Sequence, residues 1–209
     1  MFLPVFPLQL VVFPREKLKL HIFEPRYKQL IEECREHEIT FGIPPFVEDS
    51  LATFGTEVSL VSVLKVYDDG EMDIVTEGRR VFELKRFVRE APNRLYPGAE
   101  VAFVANDPDP SGADIAGLRA AYDRFHQLLN TGYTRDDFDR SNLSFELAQE
   151  VGLTLRQKVE LLALPREADR LEYLLEHLHT VIPLAEGMEE TRRSVTGNGH
   201  VKRPAKLDF

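Results

Sequence analysis

The spacing of apolar residues changes its period once along this chain, at about residue 105. Before that point apolar side chains tend to recur at every second position, as in Lys17–Ile22, where leucine and isoleucine alternate with lysine and histidine. Beyond it they recur at helical spacing. A strand period followed by a helix period predicts an α+β chain. The first long helix has its apolar face on Ile115, Leu118, Tyr122, Phe125 and Leu129.

The longest strand signal lies in the first half of the chain. Residues Val58–Tyr67 (VSLVSVLKVY) are rich in β-branched side chains and apolar on both faces, which indicates a central strand of a barrel or sandwich. The following Asp68-Asp69-Gly70 predicts a tight turn into a second strand, and hence a hairpin. Glu77-Gly78 predicts another turn before a further strand at Val81–Val88.

One helix interrupts this β-rich part. Pro25 suits the first position of a helix, and the apolar residues that follow it are spaced to form one stripe. The stripe includes the single cysteine of the sequence, which predicts a buried thiol and excludes an intramolecular disulfide or a cysteine-based zinc site. The stripe consists of Tyr27, Leu30, Ile31 and Cys34.

Four short helices are predicted after a loop at Asn106–Gly112, which contains no apolar residue. Thr154 and Gln157 form a capping-box pattern at the start of one helix. Pro165 opens the last helix and Pro183 closes it. We therefore expect a β-rich unit with one inserted helix over residues 1–112, a helical bundle over 113–185 and a flexible tail over 186–209.

Charge and hydropathy narrow the classes of partner. The formal net charge of -9 would repel a phosphate backbone, which disfavours nucleic acid as a partner. No apolar run reaches the roughly 20 residues needed to span a bilayer. The apolar N-terminus contains three prolines and no basic region, so we interpret it as a strand rather than a signal peptide. A cytoplasmic protein without membrane contact is expected, in line with the single cysteine.

Motifs for catalysis are absent. The sequence has no GxxxxGK[ST] phosphate loop and no GxSxG nucleophile elbow. His37-Glu38 begins a zinc-protease pattern, but Phe41 stands where the second histidine ligand would be needed. We expect no catalytic residues, no metal and no cofactor.

The stretch Val75–Leu84 (VTEGRRVFEL) places a glycine and two arginines between apolar runs. It could be an anion-binding loop, but one glycine with no following helix is a thin signal. A turn whose arginines make a structural ion pair is favoured, because Glu24 and Arg26 mark the start of the first helix and an arginine from the sheet could anchor it there. The residues expected to form these ion pairs are Glu24, Arg26, Arg79 and Arg80.

Three stretches together resemble a known family. They are LPVFPLQLVVFPREKLKLHIFEPRY, FGTEVSLVSVLKVYDDGEMDIVTEGRRVFEL and LTLRQKVELLALPREADRLEYLLEHL. In this order, and over the chain to about residue 185, they are similar to the N-terminal domain of the ATP-dependent Lon proteases, especially its short members. Each stretch alone is a weak signal, whereas the ordered set is specific.

The resemblance implies a PUA-like β-barrel followed by a small four-helix bundle. In full-length Lon this domain helps to recognise protein substrates and to assemble the ring. The motifs of the AAA ATPase and of the serine-lysine peptidase are absent from this sequence, so the resemblance implies a non-catalytic module that binds protein or unfolded polypeptide, such as an adaptor. FGIPPF, interrupted by prolines, suggests an exposed apolar groove for it, with a pocket lined by Phe23 and Tyr27 beside the groove. The alternative is that the prolines only shape an edge of the barrel. The candidate peptide-binding residues are Phe23, Tyr27, Phe41, Pro44, Pro45 and Phe46.

Two other functions stay open at this point. PUA-like barrels in other families bind RNA, although the charge of this chain argues against that function. A small-molecule sensor that uses a barrel pocket is the other alternative, and no residue pattern selects a ligand for it. Self-association through the last helix is also allowed, since a small bundle often leaves one apolar stripe free.

Overall fold

A six-stranded antiparallel sheet, a small two-stranded sheet and five helices are the regular elements of the part of the chain that the computed structural model describes, residues 1–138 and 140–197. This arrangement confirms the predicted α+β class. The strands are β1 (Phe2–Pro4), β2 (Lys17–Ile22), β3 (Phe41–Ile43), β4 (Phe46–Val47), β5 (Ser50–Leu51), β6 (Phe54–Val66), β7 (Met72–Val88) and β8 (Gly98–Phe103). The helices are α1 (Pro25–His37), α2 (Ile115–Leu129), α3 (Ser144–Glu150), α4 (Leu155–Leu162) and α5 (Glu167–Gly197).

The main sheet has the order β1-β8-β7-β6-β3, and β2 pairs with the first part of β7. β6 and β7 form the long hairpin that the Asp68-Asp69-Gly70 turn predicted. Two isolated parallel bridges, Val5 to Gly42 and Leu8 to Pro45, bring the segment after β1 beside β3. They join the two ends of the sheet without a continuous ladder of hydrogen bonds. A separate two-stranded sheet consists of β4 and β5.

α1 forms where the sequence predicted it. Pro25 occupies the first turn, and the buried residues of the helix are the four that were expected to make its apolar stripe. Burial raises the pKa of the Cys34 thiol to about 12, which keeps it neutral. The helix ends at Glu38, whose backbone is left-handed with φ 53°. From there the chain turns into β3.

The turn predicted at Glu77-Gly78 is wrong, because β7 runs without a break from Met72 to Val88. A register shift occurs there instead: Val58 of β6 pairs with Gly78 and Glu57 pairs with Arg80, which leaves Arg79 as the extra residue of a bulge. Glycine is needed at this bulge because another segment of backbone lies against it. A Cβ at residue 78 would stand 2.1 Å from the carbonyl oxygen of Phe13.

The helices α2 to α5 pack on the sheet around one shared core. Phe13, in the segment between β1 and β2, stacks on Phe145 of α3 with ring centroids 5.6 Å apart. Val11 and Val81 belong to the same cluster of buried residues as the leucines of α5. The predicted capping box is confirmed, since the Thr154 hydroxyl and the Gln157 amide each contact the other's backbone at the start of α4. The division into two units at residue 112 stays a prediction.

The helix end predicted at Pro183 is wrong, because α5 continues to Gly197. Proline removes one backbone hydrogen bond from a helix, but buried residues hold α5 in place before it, among them Leu174 and Leu178. After Pro183, the Glu186 carboxylate forms an ion pair with the Arg124 guanidinium of α2, with 2.6 Å between nitrogen and oxygen. Part of the segment expected to be a flexible tail is therefore helical, and its remainder, 198–209, lies outside the described residues. No helix in the described ranges is long and apolar enough to cross a membrane.

Candidate functional site

The FGIPPF segment does not form the exposed groove that the sequence suggested. Phe41 is fully buried, and both Pro44 and Pro45 are buried beside it. β3 lies inside the fold because Gly42 lets the side chains of Leu3 and Phe82 pack directly over the strand. Phe46 is half-buried at the start of the small β4-β5 hairpin. These residues therefore do not form an exposed apolar surface in this structure, and their role in peptide binding stays a prediction.

Phe23 and Tyr27 also take different places. The Phe23 side chain is 59% exposed and lies near the ring of His21, with centroids 6.2 Å apart. Tyr27 is buried and stacks on Phe6, with centroids 3.7 Å apart. The two rings therefore have separate partners, and a shared pocket between them is not part of the observed packing.

The two arginines of VTEGRRVFEL bind within the sheet rather than to the start of α1. Arg80 donates two hydrogen bonds to the Glu57 carboxylate, at 2.7 and 3.1 Å. Burial disfavours ionisation of Glu57, but the hydrogen bonds from Arg80 and Thr40 outweigh it and hold the pKa of the carboxyl below its usual range. Arg79 donates to the Ser59 hydroxyl at 2.8 Å. The arginines thus join β7 to β6 at the bulge.

Glu24 and Arg26 form an ion pair with each other, at 2.6 Å, and do not reach the sheet arginines. The Arg26 guanidinium also lies over the ring of Tyr27, 4.8 Å from its centroid. This exposed pair sits at the first turn of α1. The expected anchor between the sheet and α1 is therefore replaced by buried packing of the helix stripe on the sheet.

A free sheet edge lies on β6, at a place the sequence did not indicate. β3 pairs with β6 only at residues 56–58, because the chain before Phe41 turns away at Glu38 into α1. Residues 59–66 of β6 therefore pair with β7 on one side and with no strand on the other, within the part of the chain that the structure describes. Of the stretch Val58–Tyr67 that was expected to be a central strand, only Val58 has a strand on both sides.

A groove of about 530 Å³ runs between this edge and the C-terminal end of α1. Its floor is apolar at Ile39, Leu60 and Val63, which are partly buried. Its charged residues are two arginines and one glutamate, Arg35, Arg79 and Glu38. We refer to it as the edge groove. It is lined by Cys34, Arg35, Glu38, Ile39, Ser59, Leu60, Val61, Ser62, Val63 and Arg79.

Apolar side chains stay exposed along the same edge. Val61, Leu64 and Val66 are 48, 58 and 57% exposed. Val61 and Leu64 are the extra residues at two further register shifts, so neither has a Cα partner on β7. An exposed strand edge with apolar side chains is a surface to which another extended chain can add.

A polar network fixes the far end of the hairpin. The His21 ring on β2 bonds to Asp73 at 2.7 Å and to Glu71 at 2.9 Å, and the Tyr67 hydroxyl donates to Asp73 at 2.8 Å. The hydrogen bond to Asp73, followed by that to Glu71, raises the pKa of His21, and the same contact lowers the pKa of Asp73. Lys65 lies over the Tyr67 ring, 4.0 Å from its centroid. This network holds the outer part of β6 against β7 and β2.

Within residues 1–138 and 140–197, no group of three or more histidine, cysteine or acidic side chains is placed to hold a metal ion. Cys34 lies at the edge groove, but its raised pKa makes it a poor nucleophile. The arrangement suits recognition of a chain segment through backbone and apolar contacts.

A family model described as the substrate-binding domain of ATP-dependent protease La (LON) matches residues 2–180. Among solved structures, a Lon N-terminal domain protein from Xanthomonas campestris is 28% identical, with 84% of this chain and 98% of that chain covered and a TM-score of 0.67. The N-terminal domain of a Mycobacterium avium complex Lon protease shares the fold at 20% identity, with coverages of 86% and 98% and a TM-score of 0.59. No curated protein sequence matches this chain.

Proposed function

The chain belongs to the family of Lon substrate-binding domains, and from that premise we propose that it is a non-catalytic module that binds protein substrates or unfolded polypeptide in the edge groove. The observation that carries this proposal is the free edge of β6 beside an apolar floor. The family model describes substrate binding, and the substrates of a protease are polypeptides. The catalytic and ATPase modules of Lon are not what the comparisons match.

We propose an adaptor role in proteolysis or protein quality control, in the cytoplasm. The same family membership supports the finer description of the fold as a PUA-like barrel, made by the main sheet, followed by a bundle of α2 to α5. The bridges at Val5 and Leu8 support the barrel, because they bring the ends of the sheet together. The core shared by the helices and the sheet suggests that the two parts keep a fixed orientation.

Exposed apolar residues on β6 provide a direct test. Val61→Lys combined with Leu64→Lys is expected to weaken binding of an unfolded polypeptide by about tenfold or more, because it removes two apolar contacts and adds charge at the strand edge. The probe is a fluorescently labelled globular protein that has been reduced and alkylated so that it cannot refold. Fluorescence anisotropy measures its dissociation constant.

Leu95→Lys is the matched control, because Leu95 is 61% exposed in the loop between β7 and β8, away from the groove lining. It adds one positive charge, as each of the two substitutions in the groove variant does, and should leave binding unchanged. Equal thermal unfolding midpoints would show that all variants remain folded. If the unsubstituted chain did not bind the probe, polypeptide binding would be refuted. If the groove variant and the control bound the probe with equal affinity, the edge groove would not be the binding site.

A further inference from the structure

Residues 59–66 of β6 leave their outer backbone groups without a hydrogen-bond partner among residues 1–138 and 140–197. A strand directs its backbone N–H and C=O groups to both sides in turn, so about half of them face away from β7. Outside the β6-β7 ladder, no described backbone or side-chain group forms a hydrogen bond with the backbone of these residues. The row of donors and acceptors is complementary to an extended backbone.

We propose that the edge groove binds its substrate by strand addition, so that an extended, proline-free segment with apolar residues at every second position becomes a further strand beside β6. This inference rests on the proposed function and specifies its substrate class. Backbone hydrogen bonds would supply sequence-independent affinity, and the alternating side chains would supply selectivity.

Side chains in the groove define what the added segment should carry. Successive residues of a strand point to opposite faces, so every second side chain of the segment would meet the apolar floor at Ile39, Leu60 and Val63. The intervening side chains would lie on the face of Ser62 and Lys65, opposite the core. The free length of β6 corresponds to roughly 26 Å, which suits a segment of about eight residues.

The bulges of β6 favour a short peptide over a second copy of the chain. Register shifts at Val61 and Leu64 bend the strand and break the flat edge that two long strands would need for pairing. A short flexible segment can follow this curvature, whereas β6 of another copy carries the same bulges and would be poorly matched. The occupant we infer is therefore a segment of unfolded polypeptide.

N-methylation of the peptide backbone tests this mode without altering the protein. A labelled peptide of about eight alternating valine and threonine residues, flanked by solubilising lysines, is prepared in three forms: unmodified, N-methylated at the valines, and N-methylated at the threonines. N-methyl groups on alternate residues block one edge of a strand only. Strand addition predicts that one methylated form binds about tenfold or more weakly, while the other keeps its affinity.

Equal affinities of all three forms, or equal losses in both methylated forms, would overturn strand addition. Binding of the unfolded probe protein distinguishes this result from failure of the proposed function. If the groove recognises side chains without strand addition, the probe protein still binds, and N-methylation of the peptide does not change its affinity. Sedimentation velocity tests the other possible occupant of the groove, which is β6 of a second copy of the chain. A dimer that Leu64→Lys converts to monomer would show that β6 pairs with a second copy, and a monomer in both forms is the expected result.

Discussion

Replacement of Arg170 by alanine is expected to lower the free energy of unfolding by about 3–5 kcal/mol, because it leaves a buried carboxylate without its cation. Arg170 and Glu167 are 1% and 0% exposed, and their side chains meet at 2.7 Å. Burial lowers the pKa of Arg170, but its contacts with Glu167 favour the charged form. Denaturant unfolding followed by circular dichroism measures the change.

The Arg170 side chain connects three parts of the fold. It donates to the Ser144 hydroxyl of α3, to the Leu164 carbonyl before α5, and to the Asn106 side chain in the loop after β8. It also lies over the ring of Phe145, 4.3 Å from its centroid. Loss of this one group therefore loosens the helices from the loop that leads to them.

Two further variants identify the cause of this loss. Arg156→Ala breaks an exposed ion pair with Glu160 and should change stability by no more than about 0.5 kcal/mol. A double substitution, Glu167→Gln with Arg170→Met, removes both charges and should cost less than Arg170→Ala alone. The explanation would be wrong if Arg170→Ala lowered the free energy of unfolding no more than Arg156→Ala does.

The second large effect is expected at Gly78, where alanine should destabilise the protein by about 3 kcal/mol, the upper end of the usual range for overpacking. The Cβ would meet the backbone of Phe13, which cannot move easily, because Gly78 donates to the Glu16 carbonyl at 2.9 Å and accepts from the Arg15 amide at 2.8 Å. The thermal unfolding midpoint should fall by many degrees.

Gly187 is the matched control, since a Cβ at that position of α5 would meet nothing within 4 Å. Gly187→Ala should be neutral or stabilise the helix by up to about 1 kcal/mol. A loss of stability at Gly78 without a loss at Gly187 would attribute the effect at Gly78 to close approach of the backbone. If Gly78→Ala were as stable as the unsubstituted protein, the bulge would be able to relax around the added Cβ. Glycine would then not be needed at this position.

Features decided by nearby residues could be predicted from the sequence. The α1 stripe, the Asp68-Asp69-Gly70 hairpin and the Thr154 capping box all depend on contacts between residues a few positions apart. Gly78 indicates an interruption of the regular strand, but a turn and a bulge have the same local signal. The difference depends on the Phe13 backbone, which is remote in sequence.

The edge groove depends on strand pairing between residues that are distant in sequence, and for that reason none of the candidate peptide-binding residues lines it; of the predicted residues, Arg79 does. FGIPPF has the composition of an exposed, irregular segment, yet Leu3 and Phe82 cover Gly42 from strands that are distant in sequence. Residues 59–66 are apolar on both faces, which is typical of a central strand. Only the divergence of the chain at Glu38 leaves that edge open, and a left-handed glutamate has no clear sequence signal.

Amide hydrogen exchange of this chain, with and without the unfolded polypeptide probe, tests most directly whether the edge groove binds substrate. The account predicts slower exchange confined to residues 59–66 and the end of α1, because new hydrogen bonds and contacts protect amides there. Protection elsewhere, for instance in the β4-β5 hairpin and α4, with unchanged exchange along β6, would contradict it.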